Sequence, residues 1–220
     1  MCGKFTAKAS WSEIVDLIHA TPPAEMDGGD QSLTYRVMGA VPVIVWDRVA
    51  GKRRAVPMRW GFPHPSDWRR PQPIHARAET IDTTVSFAGA FRDGQRGIVL
   101  VQTFNEAPDS GAQHVVTPAG ALGIAFVWRR FHVADAPFFA CVMVTVAANN
   151  LLSGLPTDRM PACLAPQDWA VWLGEEGASL ERVKACLKVA DGAGWTMRPE
   201  PRAKTTPRGK PVVSDPAGLF

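Results

Sequence analysis

Hydrophobic positions in this chain fall mostly into short runs of β-like character, with helical spacing confined to the two ends. The segment SWSEIVDLIHATPP (10–23) predicts a first helix. Ser10 and Glu13 stand at capping-box spacing, Ile14, Val15, Leu17 and Ile18 share a face, and Pro22 and Pro23 stop it. A polar loop (24–32) follows. The pattern then turns to β-branched and aromatic runs: VPVIVWD (41–47), RAVPMRWGF (54–62), GIVLVQTF (97–104), HVVTP (114–118) and ALGIAFVW (121–128). The last two flank Ala119 and Gly120 behind Pro118, which predicts a hairpin between them. The uncharged run APFFACVMVTVAA (136–148) predicts a buried strand, being too short to span a bilayer and too rich in β-formers for a helix. Helical spacing returns from Pro166 with Trp169, Trp172 and Leu173, and again from Ser179 with Leu180, Val183 and Leu187.

Helices at both ends and strands between, without βαβ alternation or internal repeat, predict an α+β domain over residues 1–196. Its core would be a mainly antiparallel sheet or a partly closed β-barrel with flanking helices. Residues 197–220 read as a basic, proline-rich tail. Within 197–215, five basic residues stand against Glu200 and Asp215, beside four prolines. Such a tail suits a polyanion or serves solubility.

Length and composition narrow the class further. A chain of 220 residues, 46% hydrophobic and 20% charged, suits one domain with a substantial core rather than a disordered or fibrous protein. A net charge of +3 is compatible with a nucleic-acid partner without arguing for one. Residues 1–20 lack a basic stretch followed by an apolar run, so no secretory signal or membrane association is expected. Cys2, Cys141, Cys163 and Cys186 have no CxxC spacing, and the histidines share no metal-like spacing. The expectation is a cytoplasmic monomer with reduced thiols, no metal and no cofactor.

Candidate chemistry begins at MCGKF (1–5). If Met1 is removed, Cys2 carries an α-amine and a thiol on adjacent carbons. An α-amine with a pKa of about 7.7–8.0 is partly neutral near pH 7 and attacks an aldehyde to give a Schiff base. The neighbouring thiol then closes a five-membered thiazolidine, favoured because that step is intramolecular. The alternative is that Cys2 is simply a small second residue.

Several segments favour the first alternative together. MCGKF resembles the MCGRF opening of the SOS response-associated peptidase (SRAP) family, proteins that process abasic sites in DNA. RWGF (59–62), Trp68 and PIHARAET (73–80) are similar to the family's tryptophan-glycine segment and its N-A-R-x-E-T motif. GIVLVQTFNEA (97–107) resembles the strand ending in G-F-Y-E-W. VTVAAN (144–149) and DRMPACLAPQDWAVWL (158–173) resemble the H-D-R-M-P segment and the helix after it. These anchors run in order over residues 1–173, while the last 45 residues match poorly.

The resemblance implies covalent capture of the ring-opened sugar of abasic sites in single-stranded DNA as a DNA–protein crosslink. Cys2 would be the nucleophile and Glu106 the proton-transfer group, with autoproteolytic release of the leader methionine and lyase-like activity. Two positions depart from the pattern. The motif asparagine is His75 here, and the histidine before D-R-M-P is Thr157. Histidine can still bond or shuttle a proton; threonine cannot serve as a general base near neutrality. Either His75 takes over the lost proton transfer, or the constraint is relaxed in a diverged member. The G-F-Y-E-W tryptophan is Ala107, and an N-V-A-P-T segment has become RVMGA (36–40).

For DNA contact the resemblance implies Lys4 in place of a phosphate-binding arginine, with the charge kept and the fork lost. It also implies Arg77, Arg159 and the strand-separating Trp68. Two rival readings remain open: a non-covalent single-strand or lesion-binding module on the same fold, and an aldehyde trap unrelated to DNA. Cys163 is the one rival nucleophile; Cys141 and Cys186 read as packing residues.

Overall fold

The computed structural model describes residues 2–7, 20–21, 33–106, 113–120, 122–133 and 136–200. Most of the first expected helix, the loop after it and the tail beyond Glu200 lie outside the described residues. In chain order the strands begin with β1 (Lys4–Ala7), β2 (Ala20–Thr21), β3 (Leu33–Arg36), β4 (Ala40–Asp47) and β5 (Lys52–Trp60). Next come β6 (Pro63–His64), β7 (Asp67–Pro71), β8 (His75–Arg77) and a helix, α1 (Val85–Arg92). After it run β9 (Arg96–Val101), β10 (Thr103–Glu106), β11 (His114–Thr117), β12 (Leu122–Val133) and β13 (Ala136–Ala147). The order ends with β14 (Arg159–Pro161), β15 (Cys163–Leu164), α2 (Trp169–Leu173), α3 (Leu180–Ala185) and β16 (Thr196–Pro199).

The expected α+β class holds, and the core is a closed barrel. Strands β13, β12, β9, β4 and β5 lie side by side in that order. A parallel pairing of β13 with β5, Ala140 beside Arg59 and Cys141 beside Trp60, completes the ring. The run read as a buried strand is β13, and its middle is buried on both faces, as is that of β4. A second, antiparallel sheet has the order β16-β11-β10-β1-β3 and packs on the barrel through β1. Phe5 sets its ring 5.1 Å from that of Trp60 and 6.4 Å from that of Phe126. Alternation along β1 buries Phe5 and Ala7 while Lys4 and Thr6 look outward.

Three local expectations are corrected. The run at 97–104 is two strands rather than one: it breaks at Gln102, whose amide donates to Thr6 O at 3.0 Å, and passes from the barrel into the second sheet. The hairpin expected across Ala119 and Gly120 does not form. β11 pairs with β10 and β16, whereas β12 pairs with β9, β13 and β15, so the turn joins two sheets. Residues 197–199, at the start of the expected tail, belong to β16 at the edge of the second sheet.

The two late helices form as expected. Pro166 opens a 3-10 turn that leads into α2, and the Ser179 hydroxyl caps α3 by accepting from the Arg182 amide. Arg96 ties this layer to the barrel, donating from Nε to Trp172 O and from Nη1 to Phe91 O, each at 2.6 Å. No helix among the described residues is long and apolar enough to cross a membrane.

Candidate active site

Cys2 precedes β1, and the neighbouring strand β10 runs antiparallel with Lys4 opposite Asn105. Continuing that register one step brings Glu106, the last residue of β10, opposite Gly3, next to Cys2. The Cys2 backbone N–H donates to the Glu106 carboxylate, and the Asn105 backbone N–H faces the Cys2 thiol. The thiol itself donates to Lys4 O at 3.3 Å. Both side chains are buried, Cys2 to 1% exposure and Glu106 to none.

Burial sets the protonation of this pair. It pushes the Glu106 carboxyl up to about 7, with the Cys2 amide holding it partly down. Burial, with the adjacent Glu106 charge, pushes the Cys2 thiol up to about 12. The carboxyl therefore exchanges a proton near neutrality while the thiol stays protonated.

His75 is the third member. β8 pairs in parallel with β13, His75 beside Met143, and this places its ring edge-on to Trp60 with centroids 6.5 Å apart. His75 Nε2 stands 2.7 Å from Cys2 O. Desolvation pushes its pKa down, so the ring is neutral and Nε2–H is the donor to that carbonyl. Cys2, Glu106 and His75 are thus assembled from three chain segments, the Cys2 nitrogen bonded by one partner and its carbonyl by the other.

The remaining candidates are placed less directly. The Thr157 hydroxyl donates to Arg159 O at 2.9 Å, closing its own turn. Arg159 is buried, and its guanidinium forks onto Glu79 at 2.7 and 2.9 Å while also donating to Thr145 O at 2.6 Å. Arg77 stands beside Thr145 in the parallel register and is exposed. Trp68 has two cations near its ring, Arg59 at 5.7 Å and Arg69 at 5.6 Å from the centroid, and Arg59 also donates to Trp68 O at 2.6 Å. Lys4 is paired with Glu200, which also accepts from Asn105 Nδ2 at 3.1 Å.

Asn105 and Glu200 were not singled out in the sequence. Asn105 lies within FNEA and could have been found from its place before Glu106. Glu200 carries no local signal beyond being the single acid between Asp191 and Asp215. Cys163 is buried with its thiol pKa pushed up, and its Sγ donates to Pro161 O at 3.3 Å, an arrangement for packing. Among the described residues, no group of three or more His, Cys, Asp or Glu side chains could hold a metal ion.

Comparisons with known proteins agree with the fold. The chain superposes on a crystal structure of a Bordetella bronchiseptica protein with TM-score 0.76 and 20% identity, covering 91% of this chain and 100% of that one. A Bacteroides thetaiotaomicron protein gives TM-score 0.78 and 17% identity over 91% of this chain and 93% of its own. A phage-related protein of Bordetella bronchiseptica gives TM-score 0.66 and 20% identity, with 90% and 94% covered. No curated protein matches the chain. The sequence model described as SOS response associated peptidase (SRAP) matches residues 1–202, and the chain belongs to that family.

Proposed function

We propose that this protein captures the ring-opened sugar of abasic sites in single-stranded DNA as a thiazolidine on Cys2, after removal of Met1. Family membership supports a role in the response to DNA damage. One observation carries the finer reading: a buried carboxyl with its pKa near 7 is bonded to the nitrogen that becomes the α-amine. A general acid–base works best when its pKa lies close to the operating pH.

In this reading the neutral amine attacks the sugar aldehyde carbon. Glu106 gives its proton to the departing hydroxyl, which leaves as water, and takes the remaining proton from nitrogen to leave the imine. Cys2 Sγ then bonds to the same carbon. Its proton passes to nitrogen through Glu106, and the ring closes. A thiol held at about 12 explains why the amine acts first. His75 positions rather than shuttles, since its Nε2–H is engaged by Cys2 O. Thr157 holds the turn ahead of Arg159, and Arg77 and Trp68 contact the strand. The same nucleophile and carboxyl serve the release of Met1.

The test is a denaturing gel of the protein incubated with single-stranded DNA bearing one abasic site. A band that survives boiling and is absent for Cys2→Ser and Glu106→Gln supports the proposal. A second reading, non-covalent binding, is favoured by one feature: Thr157 bonds within its own turn instead of standing as a base beside Cys2. Complexes seen only on native gels would select it.

A further inference from the structure

The outward face of the second sheet carries a row of opposed residues across its strands, polar except for Val115. Lys4 pairs with Arg36 on one side and Asn105 on the other; Asn105 pairs with Val115, and Val115 with Arg198. Directly opposed residues project from the same face at about 4.8 Å per strand. Arg36 and Arg198 are exposed at either end, and Lys4 and Asn105 lie between them. One anion occupies the centre. Glu200 leaves β16 with its amide bonded to Gln113 O at 2.6 Å, and sets one carboxylate oxygen on Lys4 Nζ and the other on Asn105 Nδ2.

Two donors on adjacent strands converging on the two oxygens of one carboxylate form an anion-binding subsite. The same pair would hold two oxygens of a phosphodiester. Asn105 also precedes Glu106, so an anion held there is one residue along the strand from the acid–base group. The resemblance already implies a phosphate contact at Lys4; we infer that Asn105 completes that subsite and that Glu200 fills it as an internal surrogate until single-stranded DNA displaces it. This rests on the reading of the protein as a DNA binder. It adds Asn105 as a phosphate ligand and makes Glu200 a competitor for the strand, with Arg36 and Arg198 extending the track to either side.

Fluorescence anisotropy with a labelled single-stranded oligonucleotide lacking any abasic site reads the subsite apart from crosslinking. The variants are Glu200→Gln, Glu200→Asp, Lys4→Ala and the Lys4→Ala/Glu200→Gln double, each checked by thermal melting. Removing the competing carboxylate should tighten binding about two- to fivefold, the range of one partly exposed ion pair. Glu200→Asp tests geometry with the charge kept and should bind more tightly than the wild type but less than Glu200→Gln, because the shorter side chain cannot span both donors. In the Lys4→Ala background the Glu200→Gln gain should vanish. A gain of the same size there would assign the effect to net charge and overturn the subsite. Equal binding by wild type and Glu200→Gln would overturn it and leave the DNA reading standing. Absence of binding by both would remove the DNA reading and the subsite with it.

Discussion

Glu106 and His75 bond Cys2 at its nitrogen and its carbonyl, with opposite responses to pH. The Glu106 carboxyl is raised from 4.5 to about 7 by burial, so the folded state holds its proton more tightly than the unfolded chain. Its contribution is favourable below about 4.5 and is lost as pH rises through about 7. His75 is shifted the other way, below its ordinary 6.5, because burial disfavours the imidazolium. The unfolded chain then takes up a proton that the folded one resists, and stability falls as pH drops through 6.5. In the wild type the two slopes partly cancel just below pH 6.5. Urea unfolding at pH 5 to 8 separates them. Glu106→Gln should leave stability near wild type at the lowest pH and exceed it by as much as about 3 kcal/mol at pH 8. His75→Gln, which keeps a donor within reach of Cys2 O, should lose the acid-side decline. The same Glu106→Gln protein should form crosslinks at least about a hundredfold more slowly. A residue that weakens the fold is one a site keeps for its chemistry, which is the role proposed for Glu106. A Glu106→Gln variant no more stable at pH 8 than the wild type would contradict the raised pKa.

At the scale of elements, the two arginines of the ARAET and DRMP segments do different work. Arg159 joins β14 to the 3-10 turn carrying Glu79 and to Thr145 of β13, whereas Arg77 lies exposed on β8. Arg159→Ala should therefore cost about 1–3 kcal/mol in stability, because it leaves the buried Thr145 carbonyl without this donor. Arg77→Ala should leave the melting temperature almost unchanged and weaken single-strand binding; calorimetry and anisotropy on both variants check the division. Trp68 should follow Arg77: the proposed function stacks a base on its ring, so Trp68→Ala should lose about 1–3 kcal/mol in DNA affinity. The strands among these elements were legible because runs such as 41–47 and 138–146 are rich in β-branched and aromatic residues. The Ser179 cap was legible for the same local reason. Helix α1 was not, since Val85, Phe87 and Gly89 are weak helix formers and the helix rests on burial of Phe87, Ala88, Ala90 and Phe91. Of the site, Cys2, Glu106 and His75 could be named from ordered motifs. The Glu200 contact could not, because it joins residues 95 positions apart with no spacing rule between them.

The whole molecule depends on closing the barrel, and closure depends on how near β9 and β4 can approach. Gly97 sits at that approach. A Cβ there would lie 2.3 Å from Val43 Cγ1 and 3.0 Å from Ile44 O, and the second of these is backbone that cannot rotate away. Gly97 O also accepts the Trp172 indole N–H at 2.9 Å, so the strand is held from the helical layer while it presses on β4. Ile44 and Ile98 are opposed at this same junction, the residues next to the two in question. Gly97→Ala should push β4 outward and disturb both the ring and the seat of α2. Overpacking of this kind costs about 1–3 kcal/mol. In a chain of this length that corresponds to a fall in melting temperature of roughly 2–12 °C. Because β9 continues through Gln102 into β10, the strain should also reach Glu106. Crosslinking by Gly97→Ala should then slow at temperatures where the protein is still folded, and Gly120→Ala, whose Cβ meets nothing within 4 Å, should match the wild type in both measurements. If Gly97→Ala loses stability yet crosslinks at the wild-type rate, the barrel and the site are mechanically separate, and the position of Glu106 is set by the second sheet alone.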